Sequence, residues 1–289
     1  MLTKNECYQQ KGYFCLMKFL RTVFNFYLNA SIHVAFAVYA FVRITAHYLE
    51  LSNQAQLHGL VFFGTITGYN FVKYAGVAKL HHRSLTENLK IIQIFSFFCF
   101  LATVYFGYQV SLKTLIFALP FGVLTLLYAV PFLSGFHKNL RQVSYLKIVV
   151  VALVWAGFTV LIPQISSGQE IALNGLLLFL QRFLIVIVLI LPFDIRDVRY
   201  DAISLQTIPK KIGVQKTKRL GLGVMIFALL LEYGMNTNDV SKNVFMILFF
   251  TILVFLMRSK MNQSKYYSSF WVESLPIIWW LLLLGFFNF

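Results

Sequence analysis

Charged residues are scarce in this chain, and acidic residues are the scarcest. Only 12% of its 289 residues are charged, and ten are Asp or Glu, whereas soluble globular domains carry about 25% charged residues. Hydrophobic residues make up 59% of the sequence, and the mean hydropathy is +0.73. This composition excludes an ordinary soluble domain and predicts an integral membrane protein.

The signatures of several enzyme classes are also missing. The three cysteines, Cys7, Cys15 and Cys99, form neither a CxxC pair nor a metal-binding spacing. The sequence contains no Walker-type phosphate loop, no dinucleotide fingerprint and no nucleophile elbow. These absences exclude most of the nucleotide-dependent and hydrolytic classes known among soluble enzymes.

Long apolar stretches divide the chain into candidate membrane helices, each near the roughly 20 residues that a bilayer requires. We predict nine spans, at residues 22–48, 57–78, 91–109, 114–134, 144–163, 171–193, 219–234, 243–257 and 270–288. The expected fold is all-α, with one transmembrane domain over residues 1–289 arranged around a central cavity. Residues 1–21 would form a cytoplasmic N-terminal segment.

The net charge of +15 is compatible with a nucleic-acid partner, but the placement of the basic residues favours a membrane explanation. With the N-terminus in the cytoplasm, all 25 Lys and Arg residues fall in cytoplasmic segments except Arg43, Lys113, Arg182 and Lys242. This asymmetry follows the positive-inside rule. We therefore expect no nucleic-acid partner, an external C-terminus and insertion into the inner membrane of the cell.

Three of the ten acidic residues lie together in LPFDIRDVRYDAISLQTIPKKIG, residues 191–213. On a helix, Asp194, Asp197 and Asp201 share one face over about two turns. We expect Arg196 and Arg199 to project from other faces; a solvated helix end in which they pair with the aspartates is the alternative. Mg²⁺ takes one or two carboxylates together with water and phosphate oxygens. The segment therefore predicts a Mg²⁺ site for a phosphorylated substrate at the membrane surface.

The same segment resembles the second aspartate-rich motif of the UbiA superfamily of intramembrane prenyltransferases. The spacing of the aspartates matches that motif, and Thr207-Ile208-Pro209 and Gly213 follow as in the family. Residues 126–157, LLYAVPFLSGFHKNLRQVSYLKIVVVALVWAG, are similar to the family's Tyr-x-x-Pro loop.

This resemblance implies a UbiA-like bundle of nine helices embedded among membrane lipids. It implies Mg²⁺-dependent transfer of an isoprenyl group from its diphosphate to a lipid-soluble acceptor. The Mg²⁺ ligands would be Asp194, Asp197 and Asp201. The substrate-binding residues would be Asn70, Lys73, Tyr128, Lys138 and Arg141.

The first aspartate-rich motif of the family is degenerate in this chain. In GTITGYNFVKYAGVAKLHHRSL, residues 64–85, Asn70 matches the leading Asn, but Tyr74 and Ala78 stand where the family has aspartates. Neither residue ligates Mg²⁺ as a carboxylate does. A non-catalytic protein that binds a lipid or isoprenyl phosphate is therefore the alternative function. A transporter is a more distant one, because the polar residues cluster at one membrane face.

Two charged residues within the predicted spans have both a functional and a structural interpretation. Arg182 lies about 18 Å from Asp194 along the helix axis. An intramembrane charge often marks a functional site, but pairing with a neighbouring carbonyl or amide would explain Arg182 equally well. Glu273 either faces the cavity or stabilises the start of the last helix through the helix dipole.

Overall fold

A computed structural model describes residues 4–52, 54–74, 87–129, 146–199 and 207–287. All regular secondary structure in these ranges is helical. We number the helices in chain order: α1 Lys4–Asn29, α2 Ile32–Tyr48, α3 Ala55–Tyr74, α4 Glu87–Gln109, α5 Leu112–Ala129, α6 Leu146–Ser166, α7 Leu173–Asp197, α8 Ile208–Ile212, α9 Val214–Gly234, α10 Asp239–Arg258 and α11 Leu275–Phe287. A π turn, Gly157–Leu161, interrupts α6, and a second one, Tyr267–Val272, precedes α11.

The described helices include six segments that are long and apolar enough to cross a membrane. They are α4, α5, α6, α7, α10 and the second π turn joined to α11. The end of α1 and the whole of α2 form one further apolar pair, bent by 53°. The two remaining predicted spans coincide with α3 and α9. The prediction of an all-α membrane protein is confirmed, and the count of nine crossings stays a prediction.

The central helix of the bundle is α7, which contacts α6, α9 and α10. Its side chains Ile185, Val188 and Leu191 are completely buried and belong to the main core, together with residues of α2, α6, α10 and α11. Within the apolar spans, 67% of α6 is buried, against 11% of α4 and 17% of α5. Helices α4 and α5 therefore lie at the periphery, where their apolar side chains can face lipid.

The last turns of α7 are held by the segment that leads into α11. Pro192 lies inside α7 and lacks the N–H that would continue the helical hydrogen bonding. The carbonyl of Pro192 accepts hydrogen bonds from Gln263 Nε2 at 2.8 Å and Ser268 Oγ at 3.5 Å. The second π turn is thereby fixed beside the aspartate end of α7.

Close packing of α9 against α7 and α10 depends on Gly221. A Cβ atom there would lie 2.9 Å from Leu191 Cδ1 and 2.5 Å from Leu256 Cδ2, and both leucines are buried. Small residues permit such close approach between membrane helices. A Cβ atom on Gly223, in the same helix, would have no neighbour within 4 Å.

We predict that Gly221→Ala lowers the free energy of unfolding by about 1–3 kcal/mol through overpacking. The matched control, Gly223→Ala, should leave it unchanged or raise it by up to about 1 kcal/mol, because Ala is the better helix former. Equilibrium unfolding of the two detergent-solubilised variants measures both free energies of unfolding. Equal effects of the two substitutions would contradict the packing described here.

Candidate functional site

Asp194 forms a buried ion pair that joins α6 to α7. Lys147 Nζ donates a hydrogen bond of 2.8 Å to Asp194 Oδ1, and the exposed fractions of the two side chains are 21% and 1%. A carboxylate this deeply buried is costly unless a cation neutralises it. Lys147, one residue into α6, provides that charge.

Asp197 also has a cationic partner, the adjacent residue Arg196. Arg196 donates from Nε to Asp197 Oδ1 at 2.7 Å and from Nη2 to Oδ2 at 3.2 Å. The expectation that Arg196 would project away from the aspartates is therefore wrong. Asp197 is the last residue of α7, and at a helix end the long arginine side chain can fold back on its neighbour.

Asp194 and Asp197 fit a Mg²⁺ ion in donor type and number. Both present hard carboxylate oxygens one turn apart at the end of α7, and Mg²⁺ needs only one or two carboxylates when phosphate and water complete its shell. No preformed group of three His, Cys, Asp or Glu side chains occurs among the described residues. Asp201, the third predicted ligand, lies outside them, as do Lys138 and Arg141.

The residues at the first-motif positions hold the break between α1 and α2. Ser31 has a positive φ of 62°, and the break leaves carbonyl groups at the end of α1 without helical partners. Tyr74 donates its hydroxyl to Asn29 O at 3.0 Å, and Asn70 Nδ2 donates to Ala30 O at 3.0 Å. The end of α3 therefore caps the end of α1.

Asn70 and Lys73 extend this network through Ser31. Ser31 Oγ donates to Asn70 Oδ1 at 2.7 Å and accepts from Lys73 Nζ at 2.8 Å. Asn70 is buried, and its amide also donates to Ser96 Oγ of α4 at 2.7 Å. Both N–H groups of Asn70 are thus used in structure, and its predicted contact with substrate stays a prediction.

Tyr69, Lys73 and Glu273 form a group next to this network. Tyr69 and Glu273 are half-buried, and Lys73 is exposed. Electrostatic interactions link Glu273 to Lys73 and Arg196, and Tyr69 to Glu273 and Tyr128. We call Tyr69, Lys73, Arg196 and Glu273 the polar cluster. The predicted contacts of Lys73 and Tyr128 with substrate stay predictions.

Arg182 belongs to a different cluster, deep in the core. The side chain is completely buried, and its guanidinium lies 4.0 Å from the ring centroid of Phe41 and 5.0 Å from that of Trp279. Its neighbour Gln181 donates to the buried Glu232 at 2.7 Å, and Glu232 interacts electrostatically with Arg182. The Arg182 nitrogens have no hydrogen-bond partner among the described residues. The expected pairing with a carbonyl or amide is therefore not found there, and the rings of Phe41 and Trp279 contact the guanidinium instead.

Ser31 and Lys147 are the residues of this region that sequence reasoning did not assign. Ser31 sits in Asn29-Ala30-Ser31, three small or polar residues inside the apolar stretch 22–48 that we predicted as one continuous span. Those three residues were the signal for a broken helix. Nothing in the spacing of the sequence indicates that Lys147 pairs with Asp194.

Comparisons of fold identify similar proteins, although sequence comparisons do not. No family model matches the chain, and no curated protein matches it significantly. The structure of a UbiA homolog from Archaeoglobus fulgidus bound to GPP and Mg²⁺ superposes with a TM-score of 0.59 at 11% identity, covering 91% of this chain and 100% of that chain. The form bound to DMAPP and Mg²⁺ gives 0.59 at 12% identity, with coverages of 93% and 98%.

A third structure of a UbiA homolog from the same organism gives a TM-score of 0.54 at 11% identity, covering 94% of this chain and 100% of that chain. These similarities extend over nearly the whole length of both chains. The resemblance indicated by the aspartate motif is therefore confirmed at the level of the fold: this chain is an integral membrane protein with the architecture of the UbiA homologs.

We predict a coupling energy of about 1–3 kcal/mol between Lys147 and Asp194 in a double-mutant cycle, because removing one partner strands a buried charge. The cycle compares Lys147→Met, Asp194→Leu and the double variant by unfolding in detergent. Lys242 and Asp239, 4.0 Å apart with Asp239 exposed, provide the matched control pair and should show no measurable coupling. Additive effects at Lys147 and Asp194 would show that their contact contributes nothing.

Proposed function

We propose that this protein transfers an isoprenyl group from an isoprenyl diphosphate to a lipid-soluble acceptor in a Mg²⁺-dependent reaction. The observation that carries the proposal is the match in fold, over nearly the full chain, to UbiA homologs bound to GPP or DMAPP with Mg²⁺. The carboxylates at the end of α7 and the cations beside them supply the chemistry that such a diphosphate needs.

Asp194, Asp197 and Asp201 are the residues that would hold the metal. Bound Mg²⁺ would neutralise charge on the departing diphosphate. In the described structure, Lys147 and Arg196 neutralise Asp194 and Asp197. With a cation held by the aspartates, Lys147 and Arg196 would be free to donate to phosphate oxygens.

The remaining proposed contacts surround the same end of the bundle. Lys73 lies in the last turn of α3, and Tyr128 is buried near the end of α5. Lys138 and Arg141 follow α5 in the chain and would add positive charge for the diphosphate. Asn70 holds Ser31, which binds Lys73, so that it positions the lysine whether or not it also touches substrate.

Aromatic side chains of the core suit the hydrocarbon part of the substrate. Trp155 Nε1 donates to the Tyr69 hydroxyl at 2.6 Å, and the Trp155 ring lies 6.0 Å from that of Phe41. Aromatic faces stabilise an adjacent cation by about 0.5–2 kcal/mol each, and an apolar wall excludes water. These residues would protect an allylic cation from hydrolysis.

The alternative is a non-catalytic protein that binds an isoprenyl or lipid phosphate. The hydrogen bonds of Asn70, Lys73 and Tyr74 favour it, because these first-motif positions are engaged in holding the break between α1 and α2. Release of pyrophosphate distinguishes the alternatives. An enzyme releases it from an isoprenyl diphosphate in the presence of Mg²⁺, whereas a binding protein retains the intact diphosphate.

We predict that the protein lies in the inner membrane of the cell. The aspartate end of α7 should face the cytoplasm. Reporter tags at the N-terminus and after Lys211 should be cytoplasmic, and a C-terminal tag should be external, because the basic residues follow the positive-inside rule. Protease protection in oriented vesicles measures all three. A cytoplasmic C-terminal tag would contradict the odd number of crossings.

We predict that Asp194→Asn and Asp197→Asn each reduce Mg²⁺-dependent release of pyrophosphate from geranyl diphosphate by at least about 100-fold, because each removes a charge that the cation needs. Asp239→Asn, an exposed change on α10, is the matched control. Binding of the intact diphosphate should weaken in the same two variants. Unchanged binding and turnover in both would refute the assignment of this end of α7.

A further inference from the structure

Helix α9 presents one exposed stripe that is basic at its start and uncharged beyond. The members of the stripe are three or four residues apart, which places them on one side of the helix; they are Lys216, Arg219, Gly223, Phe227 and Leu230. From Arg219 to Leu230 the stripe measures about 16 Å along the helix axis. This length is close to half the thickness of the hydrocarbon core of a bilayer, about 15 Å.

Helix α10 has a matching stripe, with its basic residue at the end of the helix. The exposed residues of this stripe are Ile247, Phe250, Val254 and Arg258, and they again cover about 16 Å. Both helices pack against α7 and against each other, so that their exposed stripes point away from the bundle. The two stripes together form an apolar face as deep as one leaflet of the membrane.

A buried lysine holds the two basic ends together. Lys218 is only 8% exposed, and its Nζ donates to Met257 O, in the last turn of α10, at 2.7 Å. The last carbonyl groups of a helix lack helical partners and carry partial negative charge. Lys218 is therefore bound within the protein, and it fixes the start of α9 at the level of the end of α10.

The exposed cations beside this link form a compact group, which we call the basic patch: Lys216, Arg219 and Arg258. None of them makes an ion pair within 4.0 Å in the part of the chain that the structure describes. Asp239 lies at the opposite end of α10, about 29 Å from Arg258 along the axis. The positive-inside rule explains which membrane face carries these charges, but it does not require them to meet above one apolar face.

We propose that the shared face of α9 and α10 binds one anionic phospholipid, with the phosphate at the basic patch and the acyl chains along the two stripes. An arginine side chain donates two N–H groups to one phosphate, and clusters of Lys and Arg at the membrane surface attract anionic lipids. The length of the stripes fits the chains of a single leaflet. The site is separate from the aspartate end of α7 and does not depend on the proposed function.

Native mass spectrometry of the full-length protein, released from detergent, measures the affinity for the first lipid bound. The probes are dioleoyl phosphatidylglycerol and dioleoyl phosphatidylcholine, which share chains and phosphate but differ in net charge. We expect phosphatidylglycerol to bind at least about tenfold more tightly, because each Lys or Arg near an anionic lipid contributes roughly fivefold. Glycerol phosphate, which has the charged head without the chains, should not displace it at millimolar concentration.

A triple variant that replaces the basic patch by glutamine should bind phosphatidylglycerol at least about tenfold more weakly. Its affinity for phosphatidylcholine should stay within about twofold of wild type. The matched control loses the same charge from exposed positions on α1 and α4, by replacement with glutamine of Lys18, Arg21 and Lys90. The control should keep phosphatidylglycerol affinity within about threefold, because exposed charges farther away than a Debye length are screened.

Thermal unfolding verifies that both triple variants are folded. If the patch variant does not fold, Arg258→Gln alone takes its place, with an expected loss of roughly fivefold in phosphatidylglycerol affinity. Equal affinities of wild type for the two lipids would overturn the proposal. An equal loss in the two triple variants would also overturn it, because the lipid would then respond to the charge of the whole membrane face. Displacement by glycerol phosphate would do the same, since the ligand would then be a soluble phosphate compound.

Discussion

The hydrogen bonds that α3 donates into the break between α1 and α2 support the whole candidate site. Inside a membrane bundle, backbone carbonyls released by a broken helix need partners from the protein. Asn70 and Tyr74 satisfy two of them, and Ser31 links Asn70 to Lys73. The side chains at the break thus also hold Lys73 at the start of α2.

A second constraint is the cost of burying charge, and the bundle meets it differently at two depths. At the end of α7, Asp194 is neutralised by direct contact with Lys147. In the core, Arg182 lies against aromatic rings, and Glu232 is held by hydrogen bonds from Gln181 and Tyr48. The partner at the end of α7 is partly exposed, since Lys147 keeps 21% of its side chain exposed. The proposed ligand chemistry belongs to that end.

The degenerate first motif acquires a physical explanation from the same geometry. An aspartate at position 74 could not donate a hydrogen bond to Asn29 O, as the Tyr74 hydroxyl does at 3.0 Å. An ionised carboxylate there would instead face backbone carbonyl oxygens. Tyr74 therefore serves as a helix cap at a position where the resemblance implies a carboxylate.

The sequence by itself determined the helical membrane class, the apolar segments and the grouping of acidic residues at the end of α7. Those properties depend on composition and on spacing within a single helix, which are local. Only the tertiary structure decided that the stretch 22–48 breaks at Ser31, that Tyr74 caps the end of α1, and that Lys147 meets Asp194. The two contacts join residues 45 and 47 positions apart. The placement of those residues depends on packing between helices and on satisfying buried polar groups, which periodicity does not encode.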